Sequence, residues 1–266
     1  AYPMDESLRY EIDRTEPKIN TVLDFSDSQG ILKAAEKCNG SGDCRKTHHV
    51  PGGMCPSYHA TKNEKDTTRA RANALREFLT QSDRPNRFDH KELKEVFDLC
   101  LSCKACASEC PSNVDVSTLK AEFLHQYQET NGYSMRSKLF AHNTKLNALG
   151  SKVSGLTNAV YDSFLGTALK KAAGVSPKRS LPKVFRFDFD GFLSKQKKVK
   201  PNGNKVGLYI DEFTRYLDIE VGQDAIALLS GLGYEVELLF LESGRTYLSK
   251  GYLKQAKALA LKNKKK

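Results

Sequence analysis

The chain has 266 residues, 39% of them hydrophobic and 28% charged, with a formal charge of +10, which allows one large or two modest soluble domains. No apolar stretch reaches the roughly 18 residues that a membrane helix needs, and the opening AYPMDESLRYEIDR lacks the basic and apolar regions of a signal peptide. A cytoplasmic protein is expected and, with no initiator Met, a processed chain or a piece of a longer one.

Residues 1–30, with Pro3, Pro17 and Gly30, read as a polar lead-in. Residues 31–132 hold all seven cysteines between helical segments. Thr61-x-x-Glu64 has the form of a capping box, with Ala70, Ala74, Leu75, Phe78 and Leu79 on one helical face after it. Asp89 with Glu92 marks another start. Leu93, Val96, Phe97, Cys100 and Leu101 then step i, i+3, i+4, i+7, i+8, which predicts Cys100 on the buried face at the helix end. Asp115 is placed to cap a third helix carrying Leu119, Phe123, Leu124 and Tyr127.

Residues 133–204 read as a helical segment, 133–173, and a connector broken by Pro177, Pro182, Pro201 and Gly203. Between Lys170 and Lys205, eleven Lys and Arg face two acids, Asp188 and Asp190. Such a stretch is either a solvated connector or a contact for an acidic partner or an anionic membrane surface. It contains no nucleic-acid motif. Over 205–266, KVGLYI, DIEVGQDAIALLSGLG, YEVELLFL and SKGYLKQAKALALKNKKK alternate β-α-β-α, a piece of parallel sheet. Two strands cannot bury both faces of a sheet, so either this unit docks on the helical part or, the reading preferred, it is partial and its remaining strands lie beyond residue 266. The fold predicted is mainly α: a helical two-cluster ferredoxin-like domain followed by a partial α/β unit.

An odd number of cysteines in tight C-x-x-C steps favours metal binding in a reducing compartment over disulfides. Cys100-x2-Cys103-x2-Cys106-x3-Cys110-Pro111 is the ferredoxin-type run for cubane iron–sulfur clusters, in which the last cysteine ligates the other of two clusters. An all-cysteine zinc module more often uses two separated C-x2-C pairs. The crossing predicts an upstream Cys-Pro, and Cys55-Pro56 supplies it. Cys55, Cys100, Cys103 and Cys106 are therefore expected to share a 4Fe-4S cluster, and Cys38, Cys44 and Cys110 the second site.

That second site has three thiols, and its missing corner falls at Ser41. Three readings are open. A 3Fe-4S cluster leaves the corner empty; a 4Fe-4S cluster takes Ser41, Asp43, His48, His49 or solvent there; or the site is degenerate and one cluster forms. His48, His49 and His59 also read as ordinary polar loop residues.

EKCNGSGDCRK, GGMCPSYHATKNEKDTTRARANALREFL and DLCLSCKACASECPSNVDVSTLKAEF resemble the iron–sulfur region of FAD-linked oxidases, the family of D-lactate, glycolate and D-2-hydroxyglutarate dehydrogenases. Residues 30 to 130 carry the resemblance. YPMDESLRY looks like the exit from a flavin domain, and residues 206 to 253 look like the start of a cysteine-rich-repeat domain. The resemblance implies FAD in the parent protein, reduced by a 2-hydroxy acid, with clusters relaying electrons to a quinone or carrier. It also implies a flavin domain of the same parent as partner and, with the basic stretch, a peripheral contact at the inner membrane face.

No G-x-G-x-x-G motif is present, and LESGR stands where the family has paired cysteines, so this portion is not expected to be catalytic alone. Arg69 and Arg71 match a recurrent Thr-Arg-x-Arg stretch and either offset cluster charge or line a solvated helix face. A structural or interaction module, with clusters not used for electron transfer, is the rival reading.

Overall fold

The computed structural model describes residues 14–47, 49–196, 200 and 203–265. The chain is mainly helical and divides into two units, one ending at Gly132 and one starting at Tyr133. Most of the lead-in, through residue 13, and His48 lie outside the described residues.

The first unit contains α1 (Ile31–Glu36), α2 (Pro56–Thr61), α3 (Thr68–Gln81), α4 (Lys91–Asp98), α5 (Ala105–Glu109) and α6 (Val116–Asn131). Its core joins Ile31, Leu32 and Ala35 of α1 to Leu75 and Leu79 of α3, Leu93 and Phe97 of α4, and Leu119 and Phe123 of α6. Phe97 and Phe123 stack at 5.0 Å between ring centroids.

Helix α3 does not start at Thr61. That residue ends α2, and its hydroxyl donates to the Ser57 carbonyl and the Asp66 carboxylate. Thr67 is the cap, accepting from the Ala70 amide at 3.0 Å. The intervening Asn63 to Asp66 form a tight turn of their own, capped by the Asn63 side chain. Asp89 does not cap α4 either; the cap position is His90, without a side-chain bond to the helix, and Asp89 accepts from Asn131 instead. Helix α4 ends before Cys100, so Leu101 is 71% exposed rather than on the buried face. The cap at Asp115 is as the sequence predicts, with one carboxylate oxygen accepting from both the Ser117 and Thr118 amides. Glu122 of α6 is fully buried and accepts from the Val22 and Leu23 amides, which ties the chain before α1 to α6.

In the second unit the helices expected over 133–173 are α7 (Met135–Ala141), α8 (Asn143–Ser151), α9 (Ser154–Asp162) and α10 (Phe164–Ala172). The basic stretch is more than a connector. It holds α11 (Phe189–Ser194), capped by Asp188, and Phe189 is buried with Ile210 and Ile226. Strands β1 (Lys205–Ile210) and β2 (Glu235–Phe240) pair in parallel from Lys205 opposite Glu235 to Ile210 opposite Phe240. Between them run α12 (Glu212–Tyr216) and α13 (Ile219–Gly231), and after β2 come α14 (Arg245–Ser249) and α15 (Leu253–Asn263). The sequence predicts the last helix from Ser249 and does not predict α14; Gly251, at φ +72°, delays the start of α15 to Leu253. No helix among the described residues is long and apolar enough to cross a membrane.

Candidate metal centre

The first unit places its seven thiols around two cavities. Cys55, Cys100, Cys103 and Cys106 line one. Cys38, Cys44 and Cys110 line the other, with Ser41 beside them. The run of four cysteines therefore divides, its last member facing away from the first three. Met54 and Thr68 line both cavities and form a shared wall.

Local backbone explains how. Cys100 to Lys104 cannot continue α4, because Ser102 and Lys104 adopt left-handed angles of +54° and +63°. The chain folds back and aims three thiols at one space before α5 begins. Cys55 precedes Pro56, the first residue of α2, where a missing amide proton has no consequence. In the other loop Gly40 and Gly42, at +79° and +82°, take the turns that bring Cys38 and Cys44 together.

Helix starts serve both cavities. The Arg69 amide, at the start of α3, donates to the Cys44 sulfur at 3.4 Å. The Val116 and Ser117 amides, at the start of α6, act on Cys106. Burial nevertheless raises the Cys44 thiol above its ordinary range and pushes Cys106 up to about 11. Without metal both hold their protons at neutral pH, and a metal must displace them to bind.

Lys120 escaped the sequence reading, while Arg71 was paired there with Arg69 and the structure separates the two. Arg71 is wholly buried and its Nη1 donates to the Cys55 sulfur at 3.3 Å. Lys120 is buried and donates to the Cys100 carbonyl at 2.5 Å. A signal for Arg71 existed: it stands four residues before Leu75 and eight before Leu79, on the apolar stripe of α3. Arg69 is unlike it, with a guanidinium paired to Glu64 and 30% exposed.

Of the other corner candidates, Asp43 pairs with Lys46 at 3.5 Å. Neither it nor His49 lines the three-thiol cavity. His59 lies in α2 with a buried, unpartnered Nε2 and lines neither thiol cavity.

Soft thiol donors around a closed space, with N–H groups aimed at the sulfurs, fit an iron–sulfur cluster. Among the described residues no three His, Cys, Asp or Glu side chains close on one point as for a single ion; cluster ligands bind separate irons and stand apart. Residues 37–115 match the 4Fe-4S dicluster domain.

The cysteine set of this dicluster domain implies two clusters. The chain as a whole is distantly related to D-2-hydroxyglutarate dehydrogenases. It is 26% identical over 280 residues to that of Haemophilus influenzae, covering 84% of this chain and 26% of the relative. The enzyme of Pseudomonas putida is 25% identical over 302 residues, covering 97% of this chain and 29% of the relative. That of Escherichia coli is 25% identical over 268 residues, covering 83% and 26%. The chain thus spans about a quarter of the length of the curated relatives it matches. No solved structure matches it.

Proposed function

We propose that this chain is the electron-transfer part of a flavin-dependent 2-hydroxy-acid dehydrogenase. The observation that carries the reading is the shared wall: two thiol-lined cavities separated by Met54 and Thr68. When bound, the clusters supply one-electron steps between a two-electron flavin and its acceptor. Cys55, Cys100, Cys103 and Cys106 would hold a 4Fe-4S cluster. Cys38, Cys44 and Cys110 would hold the other, with the corner at Ser41 left without a thiolate. A flavin domain of the same parent protein is the proposed donor, and a quinone or carrier protein the proposed acceptor. The basic stretch up to Lys205 suits an acidic carrier or an anionic membrane surface at the cytoplasmic face.

Iron and acid-labile sulfide on anaerobically purified protein, with EPR before and after dithionite, test this. Two cluster signals are expected, reversibly reduced, with Cys103→Ser removing one and Cys44→Ser the other. A colourless protein carrying stoichiometric zinc, or clusters that dithionite does not reduce, would overturn the reading.

A further inference from the structure

Resting on that reading, we propose that Arg71 sets the reduction potential of the cluster in the four-thiol cavity and leaves the other cluster unaffected. Three hydrogen bonds fix its side chain. Nη1 donates to the Cys55 sulfur at 3.3 Å, Nη2 to the Ser57 hydroxyl at 3.0 Å, and Nε to the Val96 carbonyl at 3.1 Å. The guanidinium plane is held against one ligand sulfur with no freedom to swing away.

Ser57 does not share this role. Its Oγ lies 3.3 Å from the same sulfur, but its single proton goes to the Asp66 carbonyl at 2.9 Å. The charged donor to Cys55 is Arg71. A guanidinium keeps its charge at any working pH, and at a site with 0% side-chain exposure water screens it little.

Asp66 is the counter-charge. Its Oδ1 lies 3.7 Å from Nη2, with 2% side-chain exposure, and has no hydrogen-bond partner. Its Oδ2 accepts the Thr61 hydroxyl at 2.7 Å. The carboxylate meets one amino group of the fork and the sulfur meets the other.

The three-thiol cavity is arranged differently. There Cys44 accepts a neutral backbone amide from Arg69, while the Arg69 guanidinium turns to Glu64 at 2.9 Å. One Thr-Arg-x-Arg stretch therefore gives one cavity a backbone amide, with the Arg69 charge paired to Glu64 and felt by Cys44 and Cys38 from a distance, and the other a buried guanidinium bonded directly to a sulfur. Hydrogen bonds to sulfur and local net charge both set cluster potentials. Reduction adds negative charge, so Arg71 favours the reduced form and raises the midpoint.

The test is an EPR-monitored redox titration of the anaerobically purified full chain, with the two signals assigned through Cys44→Ser. Arg71→Gln is expected to move the midpoint of the four-thiol signal to a more negative value and leave the other in place. Arg71→Lys, which keeps the charge and loses the fork, should move it less, and Arg69→Gln should leave the four-thiol midpoint in place. Asp66→Asn should shift the same midpoint the opposite way, and it decides the matter if Arg71→Gln does not retain its cluster. Both clusters present with an unmoved midpoint, or with equal shifts in both, would overturn the role of Arg71 and leave the electron-transfer reading standing. Wild-type protein without reducible clusters would overturn that reading and this assignment with it.

Discussion

The Glu109 carboxylate accepts from the Gly53 amide at 2.8 Å, so the residue before Cys110 holds the loop that leads to Cys55. The Met54 amide adds a second bond at 3.0 Å, and these two amides hold the Glu109 carboxyl below the usual carboxylate range. The link crosses between the cavities, because Cys110 faces one and Cys55 the other. Gly52 is part of the device. Its φ is +117°, and a Cβ there would stand 2.6 Å from Glu109 Oε2. Glu109→Ala is expected to lower iron retention in both cavities, with Glu109→Gln intermediate and Gly52→Ala resembling Glu109→Ala. Iron per chain and the two reduced EPR signals report the result. Loss confined to one signal would show that the loops are held independently.

Ser41 is exposed on the rim of the three-thiol cavity. Its amide donates to the Asn39 side chain at 3.1 Å, which fixes the turn that presents it. A serine hydroxyl is a harder donor than a thiolate, and soft thiolates suit iron–sulfur clusters better. About seven irons per chain and a signal in the oxidised protein are therefore expected. Ser41→Cys should raise the count to about eight and abolish that oxidised signal, while Ser41→Ala changes neither. Eight irons in the wild type, falling in Ser41→Ala, would make the hydroxyl a ligand.

Metal-free protein offers a test of burial. The thiolate is the reactive form, and burial pushes Cys106 up to about 11 and raises Cys44 as well. Cys103 is exposed. At pH 8, peptide mapping should find Cys103 alkylated by iodoacetamide first and Cys44 and Cys106 last. The sign for stability follows. A thiol whose folded value lies above the unfolded value of about 8.5 contributes stability that is present below that pH. Its contribution is lost as pH climbs through the folded value.

Much of this was legible in the sequence. The cysteine run, both Cys-Pro steps and the Asp115 cap depend on short spacings, and local chemistry decides them. The β-α-β-α alternation was legible for the same reason. Which of Arg69 and Arg71 faces a sulfur was not, because the burial of Arg71 depends on Cys55, Ser57 and Val96, fourteen to twenty-five residues away along the chain. Thr61 misled because Thr67, six residues on, offers α3 the same hydroxyl, and the Asn63 turn gives Glu64 a different place. Phe189 was hidden in a basic stretch whose charge argued for solvent. Its burial follows from the pocket that Ile210 and Ile226 make for it.

Asp115 carries an acid-side prediction. Burial works against its charge, but hydrogen bonds from Ser117 and Thr118 outweigh it, and the carboxyl sits below its ordinary range. A depressed folded value contributes stability above the unfolded value, about 3.9, and that contribution disappears as pH falls through the folded value. Asp115→Ala should cost about 1 kcal/mol at neutral pH. The difference in urea midpoint between wild type and variant should narrow below pH 4. A difference constant to pH 2 would mean that the charge of the cap contributes nothing.

Gly222 in α13 sets two effects of similar size against each other. Replacing a helical glycine by alanine stabilises by about 1 kcal/mol on propensity alone. A Cβ here, however, would lie 2.5 Å from Phe189 Cε1 and 2.9 Å from Thr214 Cγ2. Phe189 is 2% exposed and has Ile210 and Ile226 against it, so it has nowhere to retreat. Overpacking of a filled core costs about 1–3 kcal/mol, and the clash should win. Gly231 in the same helix meets nothing within 4 Å, which isolates the propensity effect. Urea unfolding followed by circular dichroism is expected to rank Gly231→Ala above wild type and Gly222→Ala below it. Equal gains in both would mean that Phe189 can shift, and that the basic stretch is not locked to the sheet by this ring.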